Sequence, residues 1–336
     1  MSAKEILAVG IKTIVVAIGL TIIFMIAAVV SGIGRHPPAA AVTPSANSTQ
    51  REAVTPPAIA AQPSTSGKAT PSRQPANALL WLFVASLVQV VVISYLVLQA
   101  KWGGWRLVGA LFLLVLNTWV QAALESLPYL QARVSPQFSA QALVTGLVTA
   151  ALFAPFAVWV LGGSRRAPRT EQAATSHRSF GRWTGALAAT TVIFVVLYYL
   201  CGYYIAWQNP ELRQYYAGST AIRSFWGQMT SIWTSTPWMF AFQAGRGLLF
   251  VAMTLPVVRM LRGGALRVAL GTSLMYVAFD GSPGLILPNP IMPPPVAHAH
   301  AIEMVVWGML FGAFVGWAMS WDRAAALAEP QVAKAA

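Results

Sequence analysis

The sequence has almost no cysteine and very little charge, and each shortage excludes a class of protein. Cys201 is the single cysteine, which excludes an internal disulfide framework and a cysteine-rich metal site. Only 9% of the 336 residues are charged, whereas about a quarter of the residues of a typical soluble domain are. No HExxH, GxSxG or phosphate-binding glycine loop occurs either. The composition is that of a membrane protein, and no motif identifies a catalytic residue.

Long apolar segments dominate the chain, which is 57% hydrophobic. Each is close to the roughly 20 residues that a helix needs to cross about 30 Å of hydrocarbon. The segments are continuously apolar rather than alternating, which argues against transmembrane strands. We therefore predict an all-α fold, a polytopic transmembrane bundle of about eight helices. The segments lie near residues 6–30, 77–99, 105–125, 139–161, 183–203, 237–258, 266–286 and 299–320.

The first apolar segment has two interpretations. Thr13 to Val30 is an uninterrupted uncharged run, long enough to span a bilayer, which favours an uncleaved anchor over residues 1–32. The small residues Ala39 to Ala41 leave a cleaved signal peptide as the alternative.

Residues 33–76 differ sharply from the rest of the chain. They are rich in Pro, Ala, Ser and Thr and contain no Phe, Trp or Tyr. Such a segment buries too little apolar surface to offset the entropy of ordering it. We expect a disordered linker outside the cytoplasm, then a seven-helix domain over 77–325 and a cytoplasmic tail over 326–336.

The basic residues predict the orientation of the bundle. The net charge of +13 does not indicate nucleic acid binding, because Lys and Arg lie in short loops beside the apolar segments. Cytoplasmic loops of membrane proteins are enriched in these residues. With the N-terminus inside, the short outer loops hold only Arg133, Arg213 and Arg223. The cytoplasmic side holds Lys4, Lys12, Lys101, Arg106, Arg165, Arg166, Arg169, Arg178, Arg182, Arg259, Arg262, Arg267, Arg323 and Lys334.

Several polar residues fall inside the apolar segments. A charge within a bilayer costs several kcal/mol unless it is paired or hydrated, so such residues are functional candidates. Arg246 is expected to pair with Glu303 or, failing that, with Glu125 or Asp280. Helical spacing also predicts a polar stripe of Gln141, Thr145 and Thr149. With the orientation above, the stripe lies in the outer half of the membrane, as Arg246 does. The predicted intramembrane cluster comprises Asn117, Gln121, Glu125, Gln243, Arg246, Asp280, His300 and Glu303.

Three roles for this cluster stay open. Polar side chains between membrane helices commonly act as structural glue, each contributing about 0.6 kcal/mol. In that case the activity of the protein is unknown. The second role is a pocket in a transporter or sensor of a small solute or protons. The third is a metal-assisted intramembrane enzyme, for which His298, His300 and Glu303 are weak ligand candidates; no cofactor is predicted.

Two further patterns predict contacts. Gly308, Gly312 and Gly316 recur every fourth residue, a spacing that lets another helix approach closely. An internal packing seam is favoured, with a homo-oligomer or protein partner on this face as the alternative. Residues 211–218, ELRQYYAG, predict a short helix in the membrane interface.

A resemblance covers about residues 200–320. The runs RGLLFVAMTLPVVRMLRGG and LILPNPIMPPPVAHAHAIE resemble a family of uncharacterised bacterial polytopic integral membrane proteins. No activity comes with that resemblance. It implies only a location, the bacterial cytoplasmic membrane, with both chain ends in the cytoplasm by the charge rule above.

Overall fold

The computed structural model describes residues 2–33, 77–129, 135–162, 180–281, 283, 286–287 and 292–332, with side chains up to Ser320. The predicted linker, apart from its first residue, lies outside the described residues.

Within these ranges the chain forms ten α-helices and no strand, which confirms the predicted all-α fold. Seven helices, α1–α5, α8 and α10, are long and apolar enough to cross a membrane, and their exposed apolar side chains face the bilayer. A 3₁₀ turn, Ala206–Gln208, precedes α6, and a π-helical turn, Val277–Gly281, follows α9. The helices are α1 Ala3–Ser31, α2 Ala78–Leu98, α3 Gly104–Tyr129, α4 Pro136–Val160, α5 Phe180–Tyr204, α6 Pro210–Ala217, α7 Phe225–Ser235, α8 Trp238–Met260, α9 Ala265–Tyr276 and α10 Pro294–Val332.

The predicted span at 266–286 is not one long helix. It consists of the 12 residues of α9 and the 5 residues of the π-helical turn. Together they are about 25 Å long, a little short of the hydrocarbon thickness. Pro283, two residues beyond the turn, has no N–H with which to continue it. The described residues therefore contain seven helices long enough to cross a membrane, and the segment at 266–286 is not among them.

Hydrogen bonds show which helix ends lie together. The hydroxyls of Thr13, in the first half of α1, and Ser94, in the second half of α2, are 2.9 Å apart. Lys101, just past α2, donates its backbone N–H to the carbonyl of Met260 at the end of α8, at 2.8 Å. We call this end of the bundle the base. The opposite end, where α10 begins and where α6 and α7 lie, we call the cap.

The apolar centre of the bundle is aromatic. Phe194, Phe250, Tyr276, Trp307 and Phe311 are all at most 3% exposed. Their rings contact one another edge-on or stacked, at centroid distances from 4.9 to 6.4 Å. These residues come from α5, α8, α9 and α10, so this group of rings joins the helices that carry most of the polar residues discussed below.

The cap contains the predicted short helix and a second one. α6 begins at Pro210, and the Asn209 side chain accepts hydrogen bonds from the first free backbone N–H groups. Leu212 and Tyr215 of α6 are buried against Val296 of α10, so α6 is fixed to the bundle. α7 has no buried residue and exposes Trp226 and other aromatics, as is typical of the headgroup level.

The three regularly spaced glycines of α10 pack against α9 within the same chain. A Cβ at Gly312 would lie 2.6 Å from Ser273 Cα, and one at Gly316 would lie 2.5 Å from Ala269 Cα. The α9 contacts run backwards as the α10 residue number rises, so the two helices are antiparallel. Thr272 also donates its hydroxyl to the Gly312 carbonyl at 2.6 Å. The seam brings the two backbones into direct contact.

Adding a methyl group to this seam should destabilise the protein. We expect Gly312→Ala and Gly316→Ala each to lower the unfolding free energy by about 1–3 kcal/mol, because backbone atoms must move apart. Thermal unfolding of the purified protein in detergent measures the effect. Gly245→Ala is the matched control, since a Cβ there meets no atom within 4 Å. Equal melting temperatures for all three variants would contradict the proposed seam.

Candidate functional site

Arg246 is the centre of a buried hydrogen-bond network between α8 and α3. Only 4% of the residue is exposed. Its Nη1 donates to Gln243 Oε1 at 2.9 Å, and its Nε donates to Gln121 Oε1 at 3.4 Å. Its Nη2 forms a salt bridge with Glu125 Oε2 at 3.3 Å. All three nitrogens of the guanidinium therefore have an acceptor.

The helical period explains how α3 supplies two of these partners. Gln121 and Glu125 are four residues apart and share one face with Asn117, four residues earlier. Gln121 in turn donates its Nε2 to Asn117 Oδ1 at 3.4 Å. Asn117 and Gln121 are at most 2% exposed. The stripe thus lines the surface on which Arg246 lies, about 12 Å from the start of α8.

A second network joins the cap to α10. His300 Nδ1 lies 2.9 Å from Glu303 Oε2, and His300 Nε2 lies 3.0 Å from the hydroxyl of Tyr216 on α6. The Tyr216 hydroxyl also reaches Met292 Sδ at 3.9 Å. These contacts connect a phenol, an imidazole and a carboxyl group in sequence. The Tyr216 and His300 rings meet edge-on, with centroids 5.5 Å apart.

Glu303 lies against the backbone of α5. A Cβ at Gly202 would be 3.2 Å from Glu303 Oε1, so the absent side chain leaves room for the carboxyl group. The buried thiol of Cys201 interacts with Glu303 electrostatically. Only 10% of the Glu303 side chain is exposed, against 32% for His300.

Electrostatic interactions connect the two networks. Glu125 interacts with His300 and Glu303 across the bundle, and also with Asp280 in the π-helical turn. Arg246 interacts with Asp280 as well. We call these five residues, Glu125, Arg246, Asp280, His300 and Glu303, the charged cluster. They come from α3, α8, the end of α9 and α10.

One expectation from the sequence was wrong in its first choice. The salt bridge of Arg246 is with Glu125, the second choice, and not with Glu303, which bonds to His300. The reason is helix adjacency, because α8 packs mainly on α3 and α5 whereas α10 packs on α9 and α5.

The polar stripe of α4 does not join the Arg246 network at Thr145. The Thr145 hydroxyl donates to Ser31 of α1 at 2.7 Å, so this position faces α1.

The sequence did not point to Tyr216. It lies in residues 211–218, for which the sequence predicted only a short interfacial helix, and it is 84 residues from His300. His298, one of the weak metal candidates, is exposed. Among the residues that the structure describes, no group of three or more His, Cys, Asp or Glu side chains could hold a metal ion.

Comparisons with known proteins add no family: the chain matches no family model, no curated protein and no solved structure.

The Arg246 network should contribute to the stability of the fold. We expect Arg246→Ala to lower the unfolding free energy by about 1–3 kcal/mol, because the buried amide oxygens of Gln121 and Gln243 lose their donor. Arg246→Lys should rescue little, because an ammonium lacks the planar fork that serves three acceptors at once. Folded yield and thermal unfolding in detergent measure both effects.

Two comparisons sharpen this test. Arg106→Ala removes an exposed arginine and should leave the melting temperature unchanged. Glu125→Gln should cost at most about 1 kcal/mol, because 38% of that side chain is exposed and screened. A lysine variant as stable as the wild type would show that the network contributes only a point charge.

Proposed function

We propose that this chain is a multi-pass protein of a bacterial cytoplasmic membrane that binds and releases protons at the charged cluster. The cluster would be the working site of a proton-coupled transporter or a proton sensor. The seven apolar spans support the membrane location in general, and the composition of the cluster supports the role of protons.

The observation that carries the proposal is the excess of carboxyl groups in the cluster. The acidic members are Glu125, Asp280 and Glu303, and the basic members are Arg246 and His300. Even with His300 protonated, the positive charges are one fewer than the carboxyl groups. An uncompensated charge costs several kcal/mol in hydrocarbon, so binding a proton stabilises the remaining carboxyl group.

The geometry favours a proton over a larger solute. The guanidinium of Arg246 is already bonded to Gln121, Gln243 and Glu125. Three of its five N–H groups are therefore already used within the bundle, which disfavours it as an anchor for an external anion. A proton needs no coordination shell. Histidine, the residue type at position 300, is the one side chain that ordinarily titrates near neutral pH.

Infrared spectroscopy of the purified protein tests the proposal. We expect the C=O band of at least one protonated carboxyl group at neutral pH, where an ordinary Asp or Glu, with a pKa of about 4, is ionised. At least one of the three substitutions Asp280→Asn, Glu125→Gln and Glu303→Gln should remove that band, which identifies the protonated carboxyl group. The matched control is Glu211→Gln, an exposed carboxyl group of α6 that should leave the band intact.

Absence of the protonated-carboxyl band would contradict the proposal. If all three carboxyl groups are ionised at neutral pH, the proposed function is wrong and the cluster is structural glue. If the band is present, reconstitution into vesicles with a pH gradient distinguishes a proton-coupled transporter from a proton sensor. Proton flux that Asp280→Asn abolishes indicates a transporter, and absence of flux indicates a sensor.

The proposed orientation places the base in the cytoplasm. In this arrangement α1 starts at the base and α10 runs towards it, since Gly316 in the second half of α10 packs beside Ala269 near the start of α9. We expect reporter fusions at Ser64 and Ser176 to report opposite sides of the membrane, with Ser64 outside. The same side for both would contradict the topology.

A further inference from the structure

We propose that Tyr216, His300 and Glu303 form a proton relay that links the cap to the charged cluster, with His300 as the carrier and Tyr216 as the residue that sets its tautomer. This inference rests on the proposed function, and it goes further by giving the route and the residues.

The three groups are ordered along the axis of the bundle. Tyr216 belongs to α6 in the cap, and His300 Nε2 faces it at 3.0 Å. Glu303 lies one helical turn beyond His300, about 4.5 Å deeper along α10. Exposure falls in the same order, from 32% for the His300 side chain to 10% for Glu303. A proton moving from Nε2 to Nδ1 of His300 therefore moves from the more exposed side towards the buried carboxyl group.

His300 Nε2 and Met292 Sδ compete for the single hydrogen of the Tyr216 hydroxyl. It can donate to His300 Nε2, at 3.0 Å, or to Met292 Sδ, at 3.9 Å. In the first state the bare Nε2 accepts from Tyr216, and Nδ1–H donates to the Glu303 carboxylate. In the second state Nε2 carries a hydrogen and donates to the phenol oxygen, and the hydroxyl turns to the Met292 sulfur.

One added proton converts the first state into the second. The proton binds at Nε2, and the Tyr216 hydroxyl rotates to Met292. The resulting imidazolium then passes its Nδ1 proton to Glu303, which becomes neutral while His300 is left as the Nε2–H tautomer. One proton enters and one carboxylate is protonated, so the step balances without any other reactant. The reverse sequence returns the proton to the cap.

The surroundings explain why the proton stays near Glu303. The titratable and charged groups that face the relay are Cys201 from α5, Glu125 from α3 and, through Glu125, Asp280 and Arg246. Only Arg246 among these is basic, and its salt bridge is with Glu125. Protonation of Glu303 therefore reduces repulsion among carboxyl groups.

Time-resolved infrared spectroscopy after a rapid drop in pH tests the relay. The Glu303 band is first identified as the carboxyl signal that Glu303→Gln removes. We expect His300→Gln, which cannot carry an added proton, to slow the rise of this band by about 100-fold. Tyr216→Phe keeps the ring but loses the hydroxyl, and it should slow the rise by about tenfold. Neither change should alter the number of carboxyl groups protonated at equilibrium by acid.

His298→Gln is the matched control, since His298 is exposed two residues from the carrier. It should leave the rate unchanged. If His300→Gln does not fold, Tyr216→Phe still decides. A wild-type rate in both relay variants, or equal slowing by His298→Gln, overturns the relay while the proton-binding cluster stands. Absence of any protonated carboxyl group in acid would instead overturn the proposed function itself.

Discussion

The need to bury the positive charge of Arg246 constrains the whole cap half of the bundle. A guanidinium cannot shed its proton in a protein, so its charge must be met by acceptors wherever it is buried. The structure meets it with two amide oxygens and one carboxyl group from α3 and α8. Those groups fix which faces of the two helices meet. Once that contact is set, Glu125 comes within electrostatic reach of Asp280, His300 and Glu303.

The glycine seam between α9 and α10 positions the carboxyl group of Asp280 relative to that of Glu303. Because α9 lies directly on the backbone of α10, its π-helical turn reaches the level of Glu303. A Cβ at Gly281 would lie 2.8 Å from the Val305 side chain, two residues from that carboxyl group. Asp280 precedes Gly281 and is therefore held at a similar level of the bundle. Packing of two backbones without side chains between them thus brings an additional carboxyl group into the cluster.

The cap and the base have different tasks in this arrangement. At the base, backbone hydrogen bonds between the ends of α2 and α8 join two helices that are far apart in sequence. At the cap, α6 is held by its own small apolar contact with α10, and it places a phenol beside His300. The base joins the helix ends through backbone hydrogen bonds. The cap provides the polar side chains that the proposed proton chemistry requires.

Local properties of the chain were enough to predict the helical class, seven of the eight predicted spans, the close packing along the three glycines of α10 and most of the polar residues in the two networks. They follow from composition and from the 3.6-residue period, which a single segment displays by itself. Only the tertiary structure decided that Arg246 pairs with Glu125, that Thr145 faces α1, that α9 ends in a π-helical turn and that Tyr216 reaches His300. Each of these depends on which helices are neighbours. Membrane helices are almost equally apolar all round, so hydropathy does not determine their neighbours, and the close contacts of the folded bundle do.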